Sequence, residues 1–115
     1  MKFKIDLKPL SVNKAWQGRR YKSEDYKKYE VDVCRLLSGT EKAPDGMLEV
    51  TYWFYMKNHK LADNDNPVKP LQDILKLRGI IKDDRYIYVT HIYKIPSEID
   101  YIEVEIKPFS FVPMV

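Results

Sequence analysis

The sequence predicts an α+β fold: a single domain over residues 1–115, with two helices packed on a mixed sheet in the order β-α-β-α-β-β. Three observations predict it. Four stretches are rich in strand formers or alternate apolar and polar residues, and two others repeat apolar residues at helical spacing. Prolines, glycines and short polar turns separate these stretches, without internal repeat or low-complexity segment. A length of 115 residues with 44% hydrophobic and 13% aromatic content supplies one core and too little for two. Strands from both ends of the chain, with helices between them, suit helices laid on a mixed sheet.

Phe3, Ile5 and Leu7 alternate with Lys2, Lys4, Asp6 and Lys8, which makes a half-buried strand that Pro9 stops. Residues 10–22 have no clean period and form a structured loop. Ser23 is placed to cap a helix whose first turn holds Glu24 and Asp25, where the helix dipole favours negative charge. Tyr26, Tyr29, Val33 and Leu36 make its apolar stripe, and Ser38-Gly39 ends it. After the turn-formers of 38–46, residues 47–57 predict a strand near the sheet centre. Leu48, Val50, Tyr52, Phe54 and Met56 share one face, and Trp53 and Tyr55 make the other aromatic.

Asn66 is placed to cap a second helix with Pro67 at its first position. Val68, Leu71 and Leu75 form the apolar stripe, Lys69, Asp73 and Lys76 lie on another face, and Gly79 closes it. Residues 85–95 and 101–107 are the last two strands, joined over 96–100 by a hairpin-like return.

The formal charge of +3 is unevenly spread. Residues 1–58 hold 12 Lys+Arg against 8 Asp+Glu, and residues 59–115 hold 8 against 9. A basic half fits a polyanionic partner. Lys14, Arg19, Arg20 and Lys22 are candidate DNA-phosphate contacts, interleaved with Trp16 and Tyr21, which could stack beside them. A solvated face with Trp16 in the core accounts for the same residues equally well. Lys94, on the penultimate strand, is a further phosphate candidate.

Cys34 is the only cysteine, which excludes an intramolecular disulfide and a zinc ribbon and points to a reducing, cytoplasmic setting. Neither a signal-peptide run at residues 1–10 nor a bilayer-length apolar stretch is found. Cys34 reads as a small core residue, His91 as a strand residue and His59 as surface.

The chemistry concentrates in Asp63-Asn64-Asp65-Asn66-Pro67, with Lys69, Asp73 and the pair Asp83-Asp84 following. In extended backbone, Asp63 and Asp65 would point to one side with Cα atoms roughly 6.5 Å apart. If the strand after Asp84 lies beside the strand leading to Asp63, three carboxylates meet at one end of the sheet. Such a cluster needs a cation, and hard oxygen ligands select Mg²⁺ or Mn²⁺. An isolated run of this kind is more often a turn with a cap. It is not an EF-hand, because Pro67 and Val68 stand where that loop needs an oxygen ligand and a glycine. Lys69 lies one helical turn from Asp73, as a surface pair or as a positive charge near a phosphate.

Pro9-Leu10-Ser11-Val12-Asn13, Trp16, Gly18-Arg19-Arg20-Tyr21, Asp63-Asn64-Asp65-Asn66, Lys69, Asp73, Gly79 and Asp83-Asp84 together resemble the RusA family of Holliday junction resolvases, over about residues 8–107. The resemblance implies a homodimeric, Mg²⁺-dependent endodeoxyribonuclease that makes paired symmetric nicks in four-way DNA junctions, as phage and prophage members do. It implies Asp63, Asp65 and Asp84 as catalytic, metal-holding carboxylates and Lys69 as a catalytic lysine. Asn66, Asp73 and Asp83 match accompanying positions. The aromatic strand of 47–57 could supply part of a dimer contact. A nuclease of broader structure selectivity and a non-catalytic DNA-binding module are the alternative readings.

Overall fold

In a computed structural model, the described residues are 1–11, 16–17, 21–61 and 63–111. The strands are β1 (Lys2–Ile5), β2 (Trp16–Gln17), β3 (Tyr21–Lys22), β4 (Leu48–Met56), β5 (Ile87–Pro96) and β6 (Tyr101–Pro108). The helices are α1 (Glu24–Leu36) and α2 (Val68–Leu77), with short 3-10 turns at His59–Leu61 and Asp84–Tyr86. Apart from the two-residue ribbon β2-β3 within the expected loop, the order is the β-α-β-α-β-β that periodicity predicts. No helix among the described residues is long and apolar enough to cross a membrane.

The main sheet has the order β1-β6-β4-β5 and is mixed: β4 runs parallel to β5 and antiparallel to β6, and β6 runs antiparallel to β1. The hairpin-like return expected over 96–100 is not formed. β5 and β6 are consecutive in the chain, but β4 lies between them and takes hydrogen bonds from both. The inner face of β4, buried at every position, explains this, because it gains most from the central position.

One sheet face carries the helices. Leu48, Val50, Tyr52, Phe54 and Met56 of β4 and Ile102, Val104 and Ile106 of β6 point into it, and Tyr26, Tyr29 and Val33 of α1 and Leu71, Ile74 and Leu75 of α2 meet them. Ser23 caps α1 as its type predicts, its Oγ accepting the Tyr26 N–H at 3.1 Å. The stripe of α1 ends one residue later than expected. Leu37 is buried and Leu36 exposed, because a step of four from Val33 keeps the side chain over the sheet. Cys34 is partly buried against this core, and burial pushes its thiol pKa up.

The other face is aromatic and charged. Trp53 stacks with Tyr93 and Tyr55 with Tyr101, while Lys2 and Lys4 lie over the Trp53 and Tyr101 rings. His91 Nε2 lies 2.5 Å from Glu49 Oε2 on the same face.

Three core tyrosines set the alkaline limit of the fold. Burial, with help from Asp73 and Glu30, raises the Tyr26 pKa from 10.0 to about 12. Burial also pushes Tyr29 and Tyr52 up. Their neutral forms are favoured in the fold, so their contribution is complete below pH 10 and is lost as pH climbs from 10 towards the folded values. Each such tyrosine then costs about 1.4 kcal/mol per pH unit. A steep fall in Tm above pH 10 is expected. Absorbance titration of the nine tyrosines should show a delayed set that ionises only with unfolding. Smooth ionisation of all nine near pH 10, without loss of structure, would contradict the burial.

Candidate active site

The acidic run does not extend as a strand. It folds into successive turns, with the Asn66 N–H donating to the Asp63 carbonyl at 3.4 Å and the Val68 N–H to the Asp65 carbonyl at 3.1 Å. Helical backbone is therefore entered through a turn. Pro67, already in the αR region, occupies the N-cap position, and no side chain caps α2. The capping role expected of Asn66 is not realised, because backbone carbonyls have taken it. Side-chain alternation also fails in a turn, and Asn64 faces the same space as its flanking aspartates.

That space is an open pocket of about 620 Å³ lined by Asp63, Asn64 and Asp65 on one side and by Ile92, Tyr93 and Lys94 of β5 on the other. Both aspartates are solvent-exposed and Lys94 is half-buried. Two like charges are thus set beside one cation of the sheet. One helical turn into α2, Lys69 Nζ lies 3.2 Å from Asp73 Oδ2, as the i,i+4 spacing predicts.

Asp84 does not join the pair. β4 and β5 are parallel, with Leu48 opposite Ile87 and Met56 opposite Pro96, so the chain leaves β4 at one end of the pair and enters β5 from Asp84 at the other. The five residue steps from Ile87 to Ile92 alone span roughly 16 Å of strand. Among the described residues, no group of three or more His, Cys, Asp and Glu side chains could hold a metal ion. The expected meeting of three carboxylates is not formed: Asp63 and Asp65 lie beside Ile92, Tyr93 and Lys94 of β5, whereas Asp84 stands just before the start of that strand.

Asp83 and Asp84 have separate tasks. The Asp83 carboxylate caps the 3-10 turn by accepting the Arg85 N–H at 3.2 Å, and that bond holds its carboxyl below the usual range. Asp84 lies exposed at the start of the turn. Its charge, with that of Asp73, reaches the buried hydroxyl of Tyr52 and adds to the rise that burial causes there. The same hydroxyl donates to Gln72 Oε1 of α2 at 2.8 Å. Tyr52 and Gln72 thereby tie the central strand to the helix that carries Lys69 and Asp73. Alternation along β4 places Tyr52 in the core without a polar task, and the one signal for that task is a hydroxyl on an otherwise apolar face.

Of the basic candidates, Lys14, Arg19 and Arg20 lie outside the described residues. Lys22 pairs with Glu30 at 2.6 Å and lies over the Tyr26 ring, so this cation is engaged within the fold. Lys94 lines the same open pocket as Asp63 and Asp65.

Two carboxylates fit a divalent ion of the Mg²⁺ type, which keeps several waters and is commonly held by one or two carboxylates together with substrate phosphate oxygens. Asp63 and Asp65 are the residues able to hold it.

A family model described as endodeoxyribonuclease RusA matches residues 8–107, and so assigns the chain to the class of enzymes that cut DNA internally. The chain belongs to the RusA family, whose members are Holliday junction resolving endonucleases. No curated protein matches it.

Proposed function

We propose that the protein is a Mg²⁺-dependent endodeoxyribonuclease that resolves four-way DNA junctions by paired symmetric nicks, with Mn²⁺ able to replace Mg²⁺. The observation that supports this reading most is the open pocket in which Asp63 and Asp65 stand exposed beside Lys94, within a chain matched by the family over residues 8–107. A cytoplasmic homodimer is part of the proposal. A four-way junction has approximate two-fold symmetry, so two copies of one site address opposed strands.

When bound, Mg²⁺ supplies a Lewis acid that acidifies water and draws charge from a phosphate oxygen. The chain's own residues do the rest. Asp63 and Asp65 hold the ion, and the openness of their pocket admits a duplex backbone. Lys69, exposed on the first turn of α2, offers a positive charge to the scissile phosphate, with Asp73 fixing its direction. Tyr52 and Gln72 hold α2 against the sheet. Asp84, whose charge reaches the Tyr52 hydroxyl as that of Asp73 does, is the third catalytic carboxylate of the proposal. Water adds to phosphorus, the P–O3′ bond breaks, and the departing 3′-oxygen takes up a proton. The products are a 5′-phosphate and a 3′-hydroxyl that ligase can rejoin.

The test is cleavage of a mobile four-way junction by purified protein with metal omitted and then restored. Nicked duplexes should form only in the presence of metal, and linear duplex should resist. Equal rates on linear duplex and junction would favour a broader nuclease, and tight binding without cutting in either Mg²⁺ or Mn²⁺ would leave only a binding module.

A further inference from the structure

Asp63 and Asp65 present a problem of charge before any metal arrives. Two carboxylates in one short turn repel each other, yet the backbone bonds from Asn66 and Val68 hold that turn closed. The described lining of their pocket contains one cationic side chain, Lys94, and it comes from a different element, the edge strand β5. Lys94 alternates with Tyr93, so it points to the helix-bearing side of the sheet along with Ile92, towards the turn. Lys69, the other lysine near the run, is committed to Asp73 at 3.2 Å.

We propose that Lys94 is the resident counter-ion of Asp63 and Asp65. Its ammonium occupies the acidic pocket in the metal-free protein, yields the carboxylates to a divalent cation, and then serves the scissile phosphate. The first part concerns only the free protein, and the last rests on the nuclease reading above. A lysine suits this role because its charge is compact and its stem flexible, so the ammonium can move several ångströms without backbone motion. Lys94 then acts twice. It prevents the turn from springing open when metal is scarce, and it compensates phosphate charge once the carboxylates have turned to the ion.

The two parts predict opposite effects of one substitution. In Lys94→Met, Mn²⁺ titrated into DNA-free protein by calorimetry should bind about tenfold tighter, since one competing charge has been removed. Single-turnover cutting at saturating metal should nevertheless fall about a hundredfold. Lys94→Arg should stay near wild type in metal affinity. Lys76→Met, on the exposed face of α2, serves as a control for general charge effects and should change Mn²⁺ affinity by less than about twofold. Unchanged or weaker Mn²⁺ binding in Lys94→Met, with Tm retained, overturns the counter-ion assignment. Tighter binding with unimpaired cutting overturns the phosphate role alone. Should wild type never cut DNA while Lys94→Met still binds Mn²⁺ more tightly, the nuclease reading falls and the counter-ion assignment stands.

Discussion

Asp65→Asn is expected to abolish junction cutting, with a rate loss of at least about a hundredfold, while junction binding persists. Asp63→Asn should behave alike. Each removes one of two carboxylates lining the open pocket, and neither side chain takes part in the core, so Tm should hold. The turn geometry separates these two from Asp84. Asp63→Asn and Asp65→Asn should raise the metal concentration needed for half-maximal rate. Asp84→Asn should also lose cutting but leave that concentration nearly unchanged, because Asp84 stands before the start of β5 and, among the described residues, forms no group of three or more metal-ligating side chains with Asp63 and Asp65. Rate against Mg²⁺ concentration for the three variants, with binding measured in parallel by gel shift, gives the comparison. If Asp84→Asn shifts the metal requirement as strongly as Asp65→Asn, the carboxylates act as one group in the working complex. If Asp63→Asn and Asp65→Asn cut normally, the site lies elsewhere.

Phe54→Ala should destabilise the fold by about 3–5 kcal/mol, the usual cost of deleting a fully buried ring. Phe54 is 0% exposed, lies on the central strand, and stacks against Tyr52 with ring centroids 5.8 Å apart. Domains of this kind have total stabilities of only about 5–15 kcal/mol, so the variant should unfold near physiological temperature. Its neighbour Trp53 points to the open face, and Trp53→Ala should cost clearly less. Urea unfolding of both variants reads the difference directly. Equal losses would mean that the open face is packed as tightly as the core.

Much of this could be read from residue order. Alternation in Leu48–Met56 gave the strand, its inner face and its central position, and Ser23 gave the start of α1, since both rest on local periods and local bonds. The Lys69–Asp73 pair was legible for the same reason, being fixed by helical spacing alone. Non-local geometry was not legible. Whether β4 and β5 run parallel is decided by the connection through α2, and that direction sets the end of the sheet at which Asp84 enters β5. The short-range failure at Asn66 comes from turn chemistry, where backbone carbonyls replaced the expected side-chain cap. Lys94 was found as a cation but assigned to phosphate alone, since its neighbourhood is set by a strand edge 29 residues beyond Asp65 in the sequence.

The strand order β1-β6-β4-β5 also fixes when the sheet can be completed as the chain leaves the ribosome. β4 can pair with β5 once residue 96 has emerged, but its other edge waits for β6, the last strand of the sheet to be made. Until then Leu48–Met56 presents a free backbone edge and an uncovered aromatic row, the features that invite strand addition by another chain. Synthesis therefore passes through a half-built sheet, and a pause between residues 96 and 108 is the point at which nascent chains would be most prone to aggregate.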